Sequence, residues 1–288
     1  VARDPDLPTY THGTEVELTP NPAEGYHFVS WNGDYVGTEN PLTLTMTDDM
    51  EITANFSDQW VLTVIAEHGE VFRNPNEETF GDGDRVELTA VPVVGYHFVN
   101  WSGSDYIENP DAAVTTVTMR EDTTITANFA INTYTLTVNA GEHGAVTRGP
   151  DQAIYEHGAV VTLTAVPDPG YHFVTWGGDA SGTATTTTVT MNSAKTVTAQ
   201  FAINTYELNV AIVSGGTVQK SPDKSEYTHG ESVTLTAVPG AHPNHFDYWT
   251  GDVPGSPNST NPLTITMDDD KDITANFANV FTLVINAE

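Results

Sequence analysis

Histidines and carboxylates are the side chains of this sequence with most chemistry to offer: 10 histidines and 39 acidic residues among 288. A transition-metal site needs several ligands converging on one ion at about 2 Å. His27, His97 and His172 each follow a Gly-Tyr pair, while His12, His157 and His229 each precede a glycine. Copies spread so far along the chain cannot meet on one ion. None has a His-x-x-x-His partner, so they read as turn and surface residues kept by repetition. Calcium instead wants several carboxylate and carbonyl oxygens around a hard cation. Asp268, Asp269, Asp270 and Asp272 form the densest acidic group, and weak Ca²⁺ binding there is the one metal expectation. The matching turn Asn192-Ser193-Ala194-Lys195 carries no carboxylate, which argues against an ion site in every copy. Paired carboxylates for hydrolysis need a shared cleft, and here they are scattered over turns and wet strand faces. There is no Gly-x-Ser-x-Gly, phosphate loop or Ser/His/Asp grouping. The expectation is a protein without catalytic residues and without a cofactor.

The aromatic residues carry a different message, because they recur. Gly25-Tyr26-His27-Phe28-Val29-Ser30-Trp31 returns at Gly95 to Trp101 and Gly170 to Trp176, and in altered form as Asn244-His245-Phe246-Asp247-Tyr248-Trp249. The four tryptophans are spaced by 70, 75 and 73 residues. Met46, Met119, Met191 and Met267 keep the same period, each before a polar turn, and so do Phe56, Phe129, Phe201 and Phe277. Three markers with one period establish a tandem repeat. The boundaries read 1–59, 60–133, 134–205 and 206–280, followed by 281–288. Trp31, Trp101, Trp176 and Trp249, with the four phenylalanines, are the expected core of each copy.

Within a copy the apolar period is two, the signature of half-buried strands. Tyr134, Leu136, Val138 and Ala140 alternate with Thr135, Thr137 and Asn139; Val86, Leu88 and Ala90 alternate with Glu87 and Thr89. Leu42, Leu44 and Met46 form one such set, and Ile52, Ala54 and Phe56 another. About six short strands per copy are expected, with Gly69, Gly83, Gly144, Gly158 and Gly230 supplying positive φ in turns. The tryptophan strand breaks alternation, because Tyr26 and Phe28 fall opposite Trp31. Either a bulge re-aims a residue or both faces are covered.

The formal charge of -30 repels phosphate backbones and anionic membrane surfaces, so nucleic acid is not an expected partner. There is no cysteine and no apolar run long enough for a membrane-crossing helix. Any secretion signal or wall anchor is expected outside this segment. Linkers such as Ala130-Ile131-Asn132-Thr133 are too short to be flexible spacers. Neighbouring copies should touch and form a semi-rigid rod, on the order of 100–130 Å long for four small domains.

The succession Val-x-Leu-Thr-Ala-x-Pro, Gly-Tyr-x-Phe-x-x-Trp and Thr-Ala-x-Phe resembles the divergent InlB B-repeat of internalin-type proteins. Val161 to Pro167, Gly170 to Trp176 and Thr198 to Phe201 show it best. The fourth copy departs from it, with Gly240-Ala241-His242-Pro243 before its aromatic strand. The resemblance covers essentially the whole chain. It implies a small β-grasp-like module of bacterial surface and secreted proteins, located outside the cell and serving as stalk, spacer or adhesive segment. It carries over no catalytic residue.

The first and last residues match in an unusual way. Val1-Ala2-Arg3-Asp4-Pro5 aligns with Val71 to Pro75, leaving copy one without its first strand, and Phe281 to Glu288 aligns with Trp60 to Glu67, which is that strand. Two readings stay open. The segment is cut from a longer array, or Phe281, Leu283, Ile285 and Ala287 complete the first copy of another molecule by strand addition. The function expected is a structural or adhesive rod or head-to-tail filament whose partner is itself. The alternative is a glycan- or protein-binding module of a secreted enzyme or adhesin, with the tryptophans as sugar platforms.

Overall fold

Residues of alternating polarity pair into short strands, antiparallel in every copy and also parallel in the second, third and fourth, and no helix occurs among the described residues. The computed structural model describes residues 1–279, 281, 283 and 284. The chain divides into two units, Val1–Asn132 and Thr133–Glu288.

In the first unit, the second repeat shows the complete plan. Its opening strand Gln59–Ala66 runs parallel to its closing strand Thr123–Ile131. The tryptophan strand Tyr96–Ser102 flanks the closing strand on the other side, antiparallel. A second sheet places Arg85–Pro92 between Gly69–Asn74 and Val114–Thr118. The core lies between the two sheets, where Leu62, Val86, Leu88, Trp101, Val117, Met119 and Ile125 pack together. A short strand, Thr79–Gly81, pairs with the start of the opening strand and brings Phe80 into the core. It is too short for periodicity to reveal, so the repeat holds more than the six strands its sequence suggests.

The second unit contains the same plan twice. Leu136–Ala140 lies parallel to Lys195–Ile203, and Leu208–Val213 lies parallel to Lys271–Asn279. The tryptophan strands Tyr171–Gly178 and Asn244–Gly251 again flank the closing strands.

The tryptophan strand carries a bulge in all four copies, with register shifts at Phe28/Ser30, Phe98/Asn100, Phe173/Thr175 and Phe246/Tyr248. One extra residue turns the phenylalanine and the tryptophan three positions later to the same face. Phe98 and Trp101 then meet with ring centroids 5.3 Å apart, and Phe98 meets Phe129 edge-on at 5.9 Å. The four tryptophans of these strands, Trp31, Trp101, Trp176 and Trp249, are buried. Each indole N–H donates to a backbone carbonyl at 2.7–2.9 Å, of Glu39, Ala112, Ala184 and Thr260 in turn. A buried indole needs such a partner, and the loop after the tryptophan strand supplies it.

The turn glycines divide into two kinds. Gly83, Gly158 and Gly230 have φ of 83°, 83° and 80°. Gly69 and Gly144 do not have positive φ, contrary to the expectation above; His68 and His143, immediately before them, do, at 65° and 71°. The phenyl ring of Phe129 occupies the space a Cβ on Gly69 would need, and Phe201 does the same at Gly144. These two glycines serve close packing of the marker phenylalanine and not chain reversal. Gly144→Ala should therefore cost about 1–3 kcal/mol through overpacking. Gly149→Ala, where a Cβ meets open space, should stay within about 1 kcal/mol of the parent. Urea unfolding of the two variants checks both values.

Candidate functional site: the seat of the opening strand

Each complete repeat is closed by a strand that arrives roughly 60 residues before its parallel partner. The residues that seat it recur. Leu62, Leu136 and Leu208 are buried in the three cores. They pair in register with Thr123, Lys195 and Lys271 at the start of the closing strand. Two polar contacts fix the strand lengthwise. Asp122 Oδ1 accepts the backbone N–H of Val61 at 2.8 Å, and Asp270 Oδ1 accepts that of Glu207 at 2.9 Å. One residue on, Arg73 and Arg148 each donate from Nη1 to the carbonyl oxygen of the buried leucine, Leu62 and Leu136, at 3.2 Å. Carboxylate to N–H and guanidinium to carbonyl are both charge-assisted, and hence stronger than neutral pairs.

The acidic turn proposed for Ca²⁺ is used by this machinery. Asp268 pairs with Lys271 at 2.6 Å, and this hydrogen bond holds the Asp268 carboxyl below the usual carboxylate range. Asp269 Oδ1 accepts the N–H of Asp270, Asp270 seats the opening strand, and Asp272 Oδ1 accepts from the Asn209 amide at 3.1 Å. The four carboxylates are thus engaged separately. Among the described residues, no group of three or more His, Cys, Asp or Glu is arranged to hold a metal ion.

Several of the repeated histidines lie where one repeat passes into the next. In the first unit, the His27 ring stacks on Trp60 at 4.1 Å, and His97 Nδ1 lies 2.8 Å from the amide oxygen of Asn132. In the second unit, His172 Nδ1 lies 2.8 Å from the amide oxygen of Asn204, the single residue between strands Lys195–Ile203 and Thr205–Tyr206. The Asn204 N–H donates to Gly170 and its carbonyl accepts from the His229 N–H, at 2.8 and 2.9 Å. The His229 ring covers the space a Cβ on Gly170 would take. Repetition of Gly-Tyr-His and Tyr-x-His-Gly is the signal that marks these positions; their meeting is a tertiary fact.

The first repeat has the same seat. Among the described residues, its closing strand Ile52–Ser57 pairs only with the tryptophan strand His27–Gly33. Met119, Met191 and Met267 are 0% exposed, whereas their counterpart Met46 is half-buried. The same contrast holds for Tyr10, Leu44, Ile52 and Ala54 against their buried counterparts. A cavity of about 330 Å³ opens between them, lined by Tyr10, Val16, Trp31, Leu44, Met46 and Ile52. Of the residues expected to form an assembly strand, Phe281 and Leu283 are exposed, while Ile285 and Ala287 lie outside the described residues.

The model of the divergent InlB B-repeat domain matches residues 4–59, 60–133, 134–205 and 206–281, four times in tandem and over nearly the whole chain. The chain belongs to the divergent InlB B-repeat family. This is a family of bacterial surface proteins, and the present InlB B-repeat array is all-strand throughout its described residues. No curated protein matches the chain. Among solved structures it is similar to the Bacillus anthracis TIE protein, at 9% identity and a TM-score of 0.38, over 92% of this chain and 59% of that one. So distant a likeness carries no argument about function. No helix among the described residues is long and apolar enough to cross a membrane.

The Asp268–Lys271 pair gives this repeat array a titration signature. A carboxyl lowered in the folded state stabilises it above the unfolded carboxyl's pKa, and loses that effect as pH falls through the folded value. By NMR, Asp268 should titrate below the usual carboxylate range in the parent protein. In Lys271→Ala it should move up towards that range, and an unmoved midpoint would reject the assignment.

Proposed function

We propose that this chain is an extracellular, non-catalytic array that works mechanically, as a semi-rigid stalk or spacer at a bacterial surface. The observation that supports this most is the parallel pairing of opening and closing strands in each complete repeat. Parallel neighbours begin at the same end of a sheet. The chain therefore comes into a repeat at one end and leaves it at the other, which is the connectivity a linear array needs. An antiparallel pair would return the chain to its starting end. In the first unit Asp58 alone separates closing from opening strand, and in the second Asn204 alone separates the closing strand from the short strand Thr205–Tyr206 that leads into the opening strand, leaving no slack for a flexible spacer. Addition of residues 281–288 to a further first repeat would continue the same connectivity between molecules.

The alternative of a glycan-binding module relied on tryptophans as stacking platforms. Their burial, with each N–H already engaged, favours the mechanical reading. Small-angle scattering of the monomeric protein provides the test. We expect a maximum dimension on the order of 100–130 Å. A radius of gyration near 19 Å, roughly that of a compact globule of this length, would overturn the rod.

A further inference from the structure

Near the end of each tryptophan strand stands a glycine that the fold cannot exchange. Gly33, Gly103, Gly178 and Gly251 have φ of 104°, 111°, 76° and 92°, in the left-handed region that favours glycine. A Cβ at any of them would collide with a backbone carbonyl oxygen at the start of the closing strand, that of Glu51, Thr124, Thr196 or Asp272. The residue ahead of the glycine varies instead: Asn32, Ser102, Gly177 and Thr250. The first repeat thereby sets an asparagine directly before a glycine, a pair that occurs once in the chain.

Asn32 and Gly33 are exposed and are the last two residues of strand His27–Gly33. The Gly33 N–H donates to Asn32 Oδ1 at 3.0 Å. A backbone nitrogen so held lies beside the side-chain amide carbon, a nucleophile positioned at an electrophile, and Gly33 has no side chain to shield it. Comparable places in the chain lack one of these elements. Asp48 and Asp269 accept the N–H of Asp49 and Asp270 at 2.9 Å in the same way, but an ionised carboxylate resists nucleophilic attack. Asp82 precedes Gly83, and its carboxylate is held by Arg120 at 3.0 Å. Asn192 and Asn258 each precede a serine, and the Asn258 carboxamide is engaged at both ends, with the Thr260 N–H and the Pro254 carbonyl.

We propose that Asn32 is a self-modification site, at which the Gly33 nitrogen displaces the side-chain amide as ammonia. Hydroxide takes the Gly33 N–H proton, the nitrogen bonds to Asn32 Cγ, and the bond from Cγ to its amide nitrogen breaks. The leaving nitrogen takes a proton from water, which restores the hydroxide, and a cyclic imide joins the two residues. Water then opens the ring on one of two sides. Cleavage at Cγ leaves an aspartate. Cleavage at the Asn32 backbone carbonyl carbon leaves an isoaspartate, whose main chain runs through Cβ and Cγ and is one carbon longer. The net change is one water consumed and one ammonia released.

The longer main chain falls where register matters. Asn32 pairs with Thr53 and Gly33 with Ile52. Just beyond, Asp34 Oδ2 accepts the Glu51 N–H at 2.7 Å, and the Asp34 N–H donates to the Glu51 carbonyl at 3.0 Å. Isoaspartate pushes Asp34 out of step with Glu51 and loosens this corner of the first repeat.

The test ages the folded full chain at mildly alkaline pH, where loss of the Gly33 proton is favoured. Ammonia loss should come first at Asn32, about ten-fold faster than at Asn192 or Asn258. The peptide containing it should gain about 1 Da and accept label in an isoaspartyl-specific methyl-transfer assay. Asn32→Ser, which copies the second repeat, should keep the parent's unfolding midpoint and take up no label in that peptide. In the isoaspartyl fraction, hydrogen exchange at the Glu51 amide should be faster than in fresh parent. Fresh Asn32→Asp, with the new charge on an unextended backbone, should exchange as the parent does. Conversion of Asn192 or Asn258 ahead of Asn32, or equal label in Asn32→Ser, overturns the site. Unchanged Glu51 exchange in the isoaspartyl fraction, or equal acceleration in fresh Asn32→Asp, overturns the register effect.

Discussion

The parallel contact between opening and closing strand is the interaction on which the repeat depends. It places Leu62, Leu136 and Leu208 in their cores, and it joins the two ends of each module across some 60 residues of intervening chain. Closing so long a loop is entropically costly, and a core of this size has little stability to spare. The polar seat around the leucine therefore matters beyond its individual bonds, because it fixes the register in which the apolar side chain arrives. A slip of one residue would turn the leucine out of the core and a polar neighbour into it. In the first repeat, among the described residues, no opening strand pairs with Ile52–Ser57. Its methionine, tyrosine and isoleucine have the same identities or classes as those of the other copies, yet they remain half-exposed.

The strongly acidic composition takes on a structural sense in this light. With a net charge of -30, many carboxylates sit in solvated turns, but the recurrent ones act as acceptors for backbone N–H groups. Asp122 and Asp270 hold incoming strands, and Asp34, Asp179 and Asp252 each accept the N–H of a closing-strand residue or its neighbour, Glu51, Thr196 and Asp272, at 2.7–2.9 Å. Such bonds pin the end of the tryptophan strand to the start of the closing strand it pairs with.

Much of the array was legible in the sequence. Three markers at one period, with alternation of apolar residues between them, specify an all-strand tandem repeat and the divergent InlB B-repeat family, and both hold. Where local reading failed, the residue in question answered to a distant partner. Gly69 and Gly144 look like turn glycines because they follow turns, but the rings of Phe129 and Phe201, dozens of residues away, decide what they can be. The histidines look like surface residues because nothing near them in sequence is a partner, whereas Trp60, Asn132 and Asn204 reach them through the repeat junctions.

By itself, then, the sequence determined period, strand content and family, because these follow from residue spacing and strand geometry acting over a few residues at a time. The tertiary structure alone decided which tryptophan-strand residues share a face, since the broken alternation fits a one-residue bulge and two covered faces alike. It alone decided that an aspartate three residues after a methionine holds a strand. These are pairings between segments far apart in the chain, and the alternation pattern is the same whichever partner a strand finds.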